Sequence, residues 1–116
     1  MTLESWQEQM RRGGLDLAIL LTVSREPRYG LEIIRHLESA TDLVVTEGTV
    51  YPILTRLSRE GILASEWVDD EGPHPRKYYR LTRSGRSTLD AMLARWDAFT
   101  QQIGRLAEAA QKGSRP

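Results

Sequence analysis

The chain has 116 residues, enough for one domain of ordinary size with a modest core. Lysine plus arginine and aspartate plus glutamate both number 16, so net charge gives no hint of a polyanion partner, and only local charge placement can support one. Cysteine is absent, which excludes disulfides and thiolate metal sites and fits a reducing compartment.

The longest near-continuous apolar run, Leu17 to Val23, is broken by Thr22 and falls far short of a membrane span. The first residues are acidic (Glu4, Glu8) and lack the basic start of a signal peptide, so a cytoplasmic protein is expected.

Leu3 to Ser24 reads as a helix with a soft spot. Leu3, Trp6 and Met10 keep helical spacing, and then Arg11, Arg12, Gly13 and Gly14 interrupt. Two adjacent glycines cost about 1 kcal/mol each relative to alanine in a helix interior, which predicts a break, or a helix that starts near Gly14 behind a loose N-terminal arm. Leu15 and the apolar run after it imply a helix covered on several sides. Arg11 and Arg12 are either solvated or phosphate contacts.

Arg25 to Arg28 reads as a loop, because Glu26-Pro27 discourages further helix. Tyr29 to Ala40 is a second amphipathic helix, with Leu31, Ile33, Ile34 and Leu37 inside and His36 on the surface. Thr41 to Val45 is a connector whose Leu43-Val44-Val45 tucks against the core.

Thr46 to Gly61 is the stretch around which the rest is arranged. Val50, Ile53, Leu54 and Leu57 form an apolar stripe at helical period. Pro52, Thr55 and Arg59 stand opposite, flanked by Thr49, Tyr51 and Arg56. Thr46 suits an N-cap and Gly61 a left-handed C′ residue. Hydroxyls, small residues and arginines on one face suit a DNA major groove, where arginine binds phosphate or guanine edges. The competing reading is an outer face that is charged only for solubility.

Beyond Gly61 the period changes. Ile62 to Val68 and Lys77 to Thr82 are strand candidates, joined by Asp69 to Arg76, a loop with one glycine and two prolines. A two-stranded hairpin needs helices to pack on. The loop begins acidic and ends with Arg76-Lys77, the end suited to phosphate. His74 among Asp69, Asp70 and Glu71 makes a poor metal site, and no metal or other cofactor is expected.

Thr82 caps a last helix, about residues 83 to 111. Leu89, Met92, Trp96, Phe99, Ile103, Leu106 and Ala110 repeat every seven residues over three heptads, the pattern of a coiled-coil seam. Such a seam pairs with a second copy of the chain or packs on the first helix; the homodimer is the simpler outcome. The division expected is residues 1–82 as an N-terminal arm plus winged helix-turn-helix and residues 83–116 as a dimerisation helix with a frayed tail. No triad, phosphate loop or carboxylate pair in an apolar setting is present, so an enzyme is not expected.

The segments RGGLDLAIL (12–20), RYGLEII (28–34), EGTVYPILTRLSREGIL (47–63) and PRKYYRLTRSGR (75–86) resemble the PadR family of bacterial transcriptional regulators. The single long helix after the wing is similar to the family's short subgroup. The resemblance spans about residues 10 to 107. It implies a mainly α fold with a small β-hairpin, a winged helix-turn-helix carried by a long C-terminal dimerisation helix. It also implies a homodimeric regulator, usually a repressor, released from its operator by a small molecule or a change in the cell's state, and in a twofold dimer two such helices would meet successive major grooves, giving a pseudo-palindromic site. The residues it places against DNA are Tyr29, Thr49, Tyr51, Pro52, Thr55, Arg56, Arg59 and Lys77, with Arg76 added from the wing's charge.

Multidrug-responsive members sandwich flat aromatic ligands between paired tryptophans of the long helix, and Trp96 matches that place. Thr88, Met92 and Thr100 would line such a site, with Leu15 or Asp16 approaching from the first helix. The plainer reading is that Trp96 fills a dimer core. Trp6 and Trp67 are expected to be structural. Ser58 stands where many relatives carry glutamate, and the acidic wing entry weakens the wing's suitability for DNA. A winged helix that contacts only proteins is the competing class.

Overall fold

Thr2 sets the first helix going: its hydroxyl accepts from the Ser5 amide at 3.1 Å while the Ser5 hydroxyl takes the Thr2 amide, a reciprocal cap. In the computed structural model, which describes residues 1–69 and 72–113, the helix then runs unbroken from Leu3 to Thr22 as α1. The break expected at Gly13-Gly14 does not occur. Leu15, Leu17, Ile19 and Leu20 are all buried, each such burial contributing about 1.5–3 kcal/mol, which outweighs the two glycine penalties. A Cβ at Gly13 would meet open space, and one at Gly14 would touch the Trp96 ring at 4.0 Å.

The segment expected as a loop carries a short strand, β1 (Arg28–Tyr29). It pairs antiparallel with β3 (Arg76–Leu81), which also pairs with β2 (Leu63–Val68), so the sheet order is β1-β3-β2. The hairpin thus becomes a three-stranded sheet, and β1 runs straight into α2 (Gly30–Ala40). Ile33, Ile34 and Leu37 point inward, whereas Leu31 is exposed, contrary to its expected place inside. In the connector Leu43 and Val45 pack on the core and Val44 projects into solvent.

The central helix, α3, runs Glu47–Arg59 with Val50, Leu54 and Leu57 buried. Pro52 falls on its exposed face, where the acceptor carbonyl it leaves unpaired can be hydrated. Gly61 adopts φ +75°, and the amides of Gly61 and Ile62 bond back to Ser58 and Leu57, the paired closure of a Schellman motif. Thr82 then joins two elements. Its hydroxyl donates to the Gly61 carbonyl at 2.6 Å and accepts from the Gly85 amide at 2.9 Å, capping α4 (Arg83–Gly113).

The first turns of α4 belong to the same core as α1 to α3, since Gly85 and Leu89 are buried. Beyond Met92 the helix leaves the core, and the molecule extends to 66 × 29 × 22 Å. Among the described residues no helix is long and apolar enough to cross a membrane.

Candidate nucleic-acid interface

The apolar stripe that anchors α3 leaves Thr49, Tyr51, Pro52, Thr55, Arg56 and Arg59 exposed. Tyr51 sits at the edge of that face and lies across the start of α2. A Cβ at Gly30 would come within 2.4–2.6 Å of the Tyr51 hydroxyl oxygen and two of its ring carbons, so only glycine lets the ring lie there. Burial, and then the charge of Glu47, raises the Tyr51 phenol above its ordinary value. Its hydroxyl therefore keeps its proton at neutral pH and can donate to phosphate oxygen.

Beside Tyr51 opens a cleft of about 440 Å³ between α2, α3 and the wing. Tyr29 and Tyr78 meet edge-to-face at 5.4 Å, and the Arg76 guanidinium lies 4.5 Å from the Tyr29 ring centre. Arg35 donates to the Tyr29 hydroxyl at 3.5 Å. Opposite, Trp67 and Lys77 are cross-strand partners, and the Lys77 ammonium is 5.9 Å from the Trp67 ring and 5.8 Å from that of Tyr79. Cations thus stand over aromatic faces, which orients them while leaving them charged. Of the residues expected at DNA, Tyr29, Tyr51, Arg76 and Lys77 converge on this cleft, Pro52, Thr55 and Arg59 line the outer side of α3, and Thr49 is exposed on the flank of α3 that faces α1.

Arg56 does not join them. Its guanidinium turns to α1 and pairs with Asp16 at 2.7 Å, and more loosely with Glu60 at 3.5 Å. The hydrogen bond and charge of Asp16 raise its already high pKa further.

Sequence reasoning missed Arg35, Leu31 and Trp67, all of which line the wing cleft. Trp67, expected to be structural, is 68% exposed. The cross-strand register that faces Trp67 with Lys77 is the signal that could have found it. Asp70 and Glu71, in the acidic wing entry, lie outside the described residues. No group of three metal-ligating side chains forms among the described ones.

The residues expected around a ligand are scattered within one protomer. Leu15 is buried and Asp16 is held by Arg56. Thr88 and Met92 are half-buried near the core, and the Thr100 hydroxyl is returned to the Trp96 and Asp97 carbonyls of its own helix. Trp96 is half-exposed beside Gly14. A second cleft of about 430 Å³ lies between α1 and α3, lined by Arg11, Arg12, Asp16, Thr49 and Arg56 among others, and Arg11 there is 3.6 Å from Glu8.

The seam of α4 needs one correction. Leu89 is only 1% exposed and belongs to the core of its own protomer, because a heptad pattern does not distinguish packing within a chain from packing between chains. Met92 is shared with that core. Trp96, Phe99, Ile103 and Leu106 stay exposed, joined by Leu93. Leu3, Trp6 and Met10 on the first half of α1 are exposed as well.

Residues 19–91 match the family model described as the transcriptional regulator PadR-like family. A PadR family transcriptional regulator from Eggerthella lenta is 37% identical, superposes with a TM-score of 0.81, and shares 91% of this chain and 92% of its own. A PadR-like transcriptional regulator from Bacillus cereus is 31% identical with a TM-score of 0.78, covering 85% of this chain and 96% of its own. An uncharacterized protein of Lysinibacillus sphaericus is 31% identical over 102 residues, 86% of this chain and 94% of that protein.

Proposed function

The chain belongs to the PadR-like family of transcriptional regulators, proteins that bind DNA and are not enzymes, and from that premise we propose that it is a homodimeric repressor of a pseudo-palindromic operator. The observation that carries the reading is the convergence of Tyr29, Tyr51, Arg76 and Lys77 on one cleft beside the exposed face of α3. The outer side of α3 enters the major groove, with Arg59 on phosphate or a guanine edge and Thr49, Pro52 and Thr55 small enough to allow close approach. The wing's Arg76 and Lys77 grip the neighbouring backbone. In a twofold dimer two such helices meet successive major grooves about 34 Å apart.

Residues 1–82 do the DNA binding in this reading, and residues 83–116 the dimerisation. Phe99, Ile103 and Leu106, with the exposed apolar residues of α1, supply a surface of the kind a second copy covers. Trp96 stands at the edge of that surface over Gly14, where an indole and its twofold mate offer stacking faces to a small planar hydrophobic ligand that releases the operator. The even balance of acidic and basic residues favours one rival, a winged helix that contacts proteins only.

The test is fluorescence anisotropy of a duplex from just upstream of the protein's own gene, against a scrambled duplex, over a range of salt. Selective binding that weakens steeply with salt supports the repressor. Arg59→Ala should weaken it and lower the salt slope by about 0.9 for each phosphate no longer neutralised, with the fold intact. An interaction module would bind both duplexes equally and ignore the substitution.

A further inference from the structure

Arg56 and Arg59 sit one turn apart on α3 and are treated oppositely by the fold. Arg59 is exposed and has no acidic partner among the described residues. The Arg56 guanidinium reaches back to α1, 40 residues earlier in the chain, and donates to the Asp16 carboxylate at 2.7 Å. A helix turns 100° per residue, which puts Arg56 to one side of the outward axis defined by Pro52 and Arg59. From that flank a side chain as long as arginine reaches a DNA phosphate by changing rotamer. The pair is not sealed in the core, since 47% of the Arg56 side chain and 32% of that of Asp16 remain accessible. Water and phosphate can both compete for the guanidinium.

We propose that Asp16 is a positioning residue that competes with the DNA backbone for Arg56, lowering affinity for DNA by withholding one phosphate contact per protomer. The inference rests on the DNA-binding reading above. In the complex of the unmodified protein Arg56 stays on the Asp16 carboxylate, so one phosphate per protomer is left without its cation. Asp16 then acts on DNA affinity without touching DNA. Its position matters, because it lies two residues past Gly14, on the helix that Trp96 covers.

The test compares Asp16→Asn, Arg56→Gln and the double variant with the unmodified protein, using a mixed-sequence duplex and titrations at several salt concentrations. Counterion release does not depend on sequence, so no operator is needed. Asp16→Asn should tighten binding about two- to fivefold per protomer, the worth of an exposed ion pair. It should also steepen the slope of log K against log salt by about 0.9 per protomer as Arg56 engages a phosphate. In the Arg56→Gln background the same change should do nothing, which separates competition for Arg56 from a general gain of positive charge. Asp16→Glu, which keeps the pair, should match the unmodified protein and serves if Asp16→Asn folds poorly.

Unchanged or weaker binding by Asp16→Asn, beside normal binding by the unmodified protein, overturns the inference and makes the pair a strut between helices. An equal gain in both backgrounds overturns it too. An unmodified protein that binds no duplex defeats the DNA reading and this inference together.

Discussion

Replacing Gly85 by alanine sets a favourable local effect against an unfavourable packing one. In an open helical position the change stabilises by about 0.5–1 kcal/mol, because glycine loses more backbone freedom on folding. At Gly85 the added Cβ would lie 2.0 Å from the Ile62 carbonyl oxygen and 3.0 Å from its carbon. Relief cannot come from a rotamer, since the obstacle is backbone. The first turn of α4 must back away by about an ångström or more to restore ordinary contact distances.

That carbonyl accepts from the Thr82 amide at 3.1 Å, a bond worth about 1 kcal/mol. One turn further on, Leu89 would be dragged from the core, and overpacking of this kind costs about 1–3 kcal/mol. The packing effect wins, and the net destabilisation should be about 2–3 kcal/mol. In a chain of this length that lowers Tm by about 10 °C. Circular dichroism melts at fixed protein concentration measure it, with Gly104→Ala as control because a Cβ at Gly104 meets nothing within 4 Å. A Gly85→Ala protein that melts with or above the unmodified one would refute the close approach of α4 to Ile62.

Gly30→Ala should act on DNA binding rather than on stability: the half-exposed Tyr51 ring swings outward, Tm moves little, and duplex affinity falls about fivefold, one hydrogen bond's worth, by anisotropy. Unchanged affinity would remove Tyr51 from the interface. Phe99→Glu should give monomers in sedimentation equilibrium at concentrations where the unmodified protein is dimeric, and a dimer that persists would place the interface elsewhere.

Burial, and then Tyr51, raises the Tyr79 phenol above its ordinary value. The unfolded chain therefore loses that proton first, so the stability Tyr79 contributes is complete below about pH 10 and is lost as pH rises through the raised value. Urea midpoints from pH 8 to 11 should fall less steeply for Tyr79→Phe, and parallel curves would contradict the shift.

What was legible in the sequence was mostly local. The stripe of Val50, Leu54 and Leu57, the helix boundaries beside Thr46 and Gly61, and the two wing strands depend on neighbours within a few residues, and the structure keeps them, although the Thr46 side chain makes no cap bond and β2 is buried only at Leu63 rather than at alternate residues. What was hidden depends on distant partners. A two-residue strand has no pattern of its own, and β1 exists because Arg28 finds Tyr79. The glycine pair in α1 predicts a break on propensity alone, which burial of the next turns overrides. Leu89 fits a seam by spacing yet is taken by its own core, and Trp67 and Lys77 face one another only once register is known. The same limit hid the Asp16–Arg56 pair, which makes the sequence's arginine face narrower than its spelling suggests.

The junction at Thr82 has a mechanical consequence. The Gly61 carbonyl that closes α3 accepts from both Thr82 and Ser84 at the head of α4, and Gly85 leaves no gap against Ile62. The short recognition helix and the 31-residue helix, about 46 Å long, are thus welded end to end. A lever built this way carries angle rather than distance. In the proposed dimer, a change in the crossing angle of paired α4 helices would swing the two α3 helices by that angle, and the pitch of DNA they could straddle would change with no rearrangement inside either protomer. Spin labels at Thr55 of the two protomers would report that swing as a change in separation, while labels at Thr55 and Thr88 of one protomer should stay at constant distance.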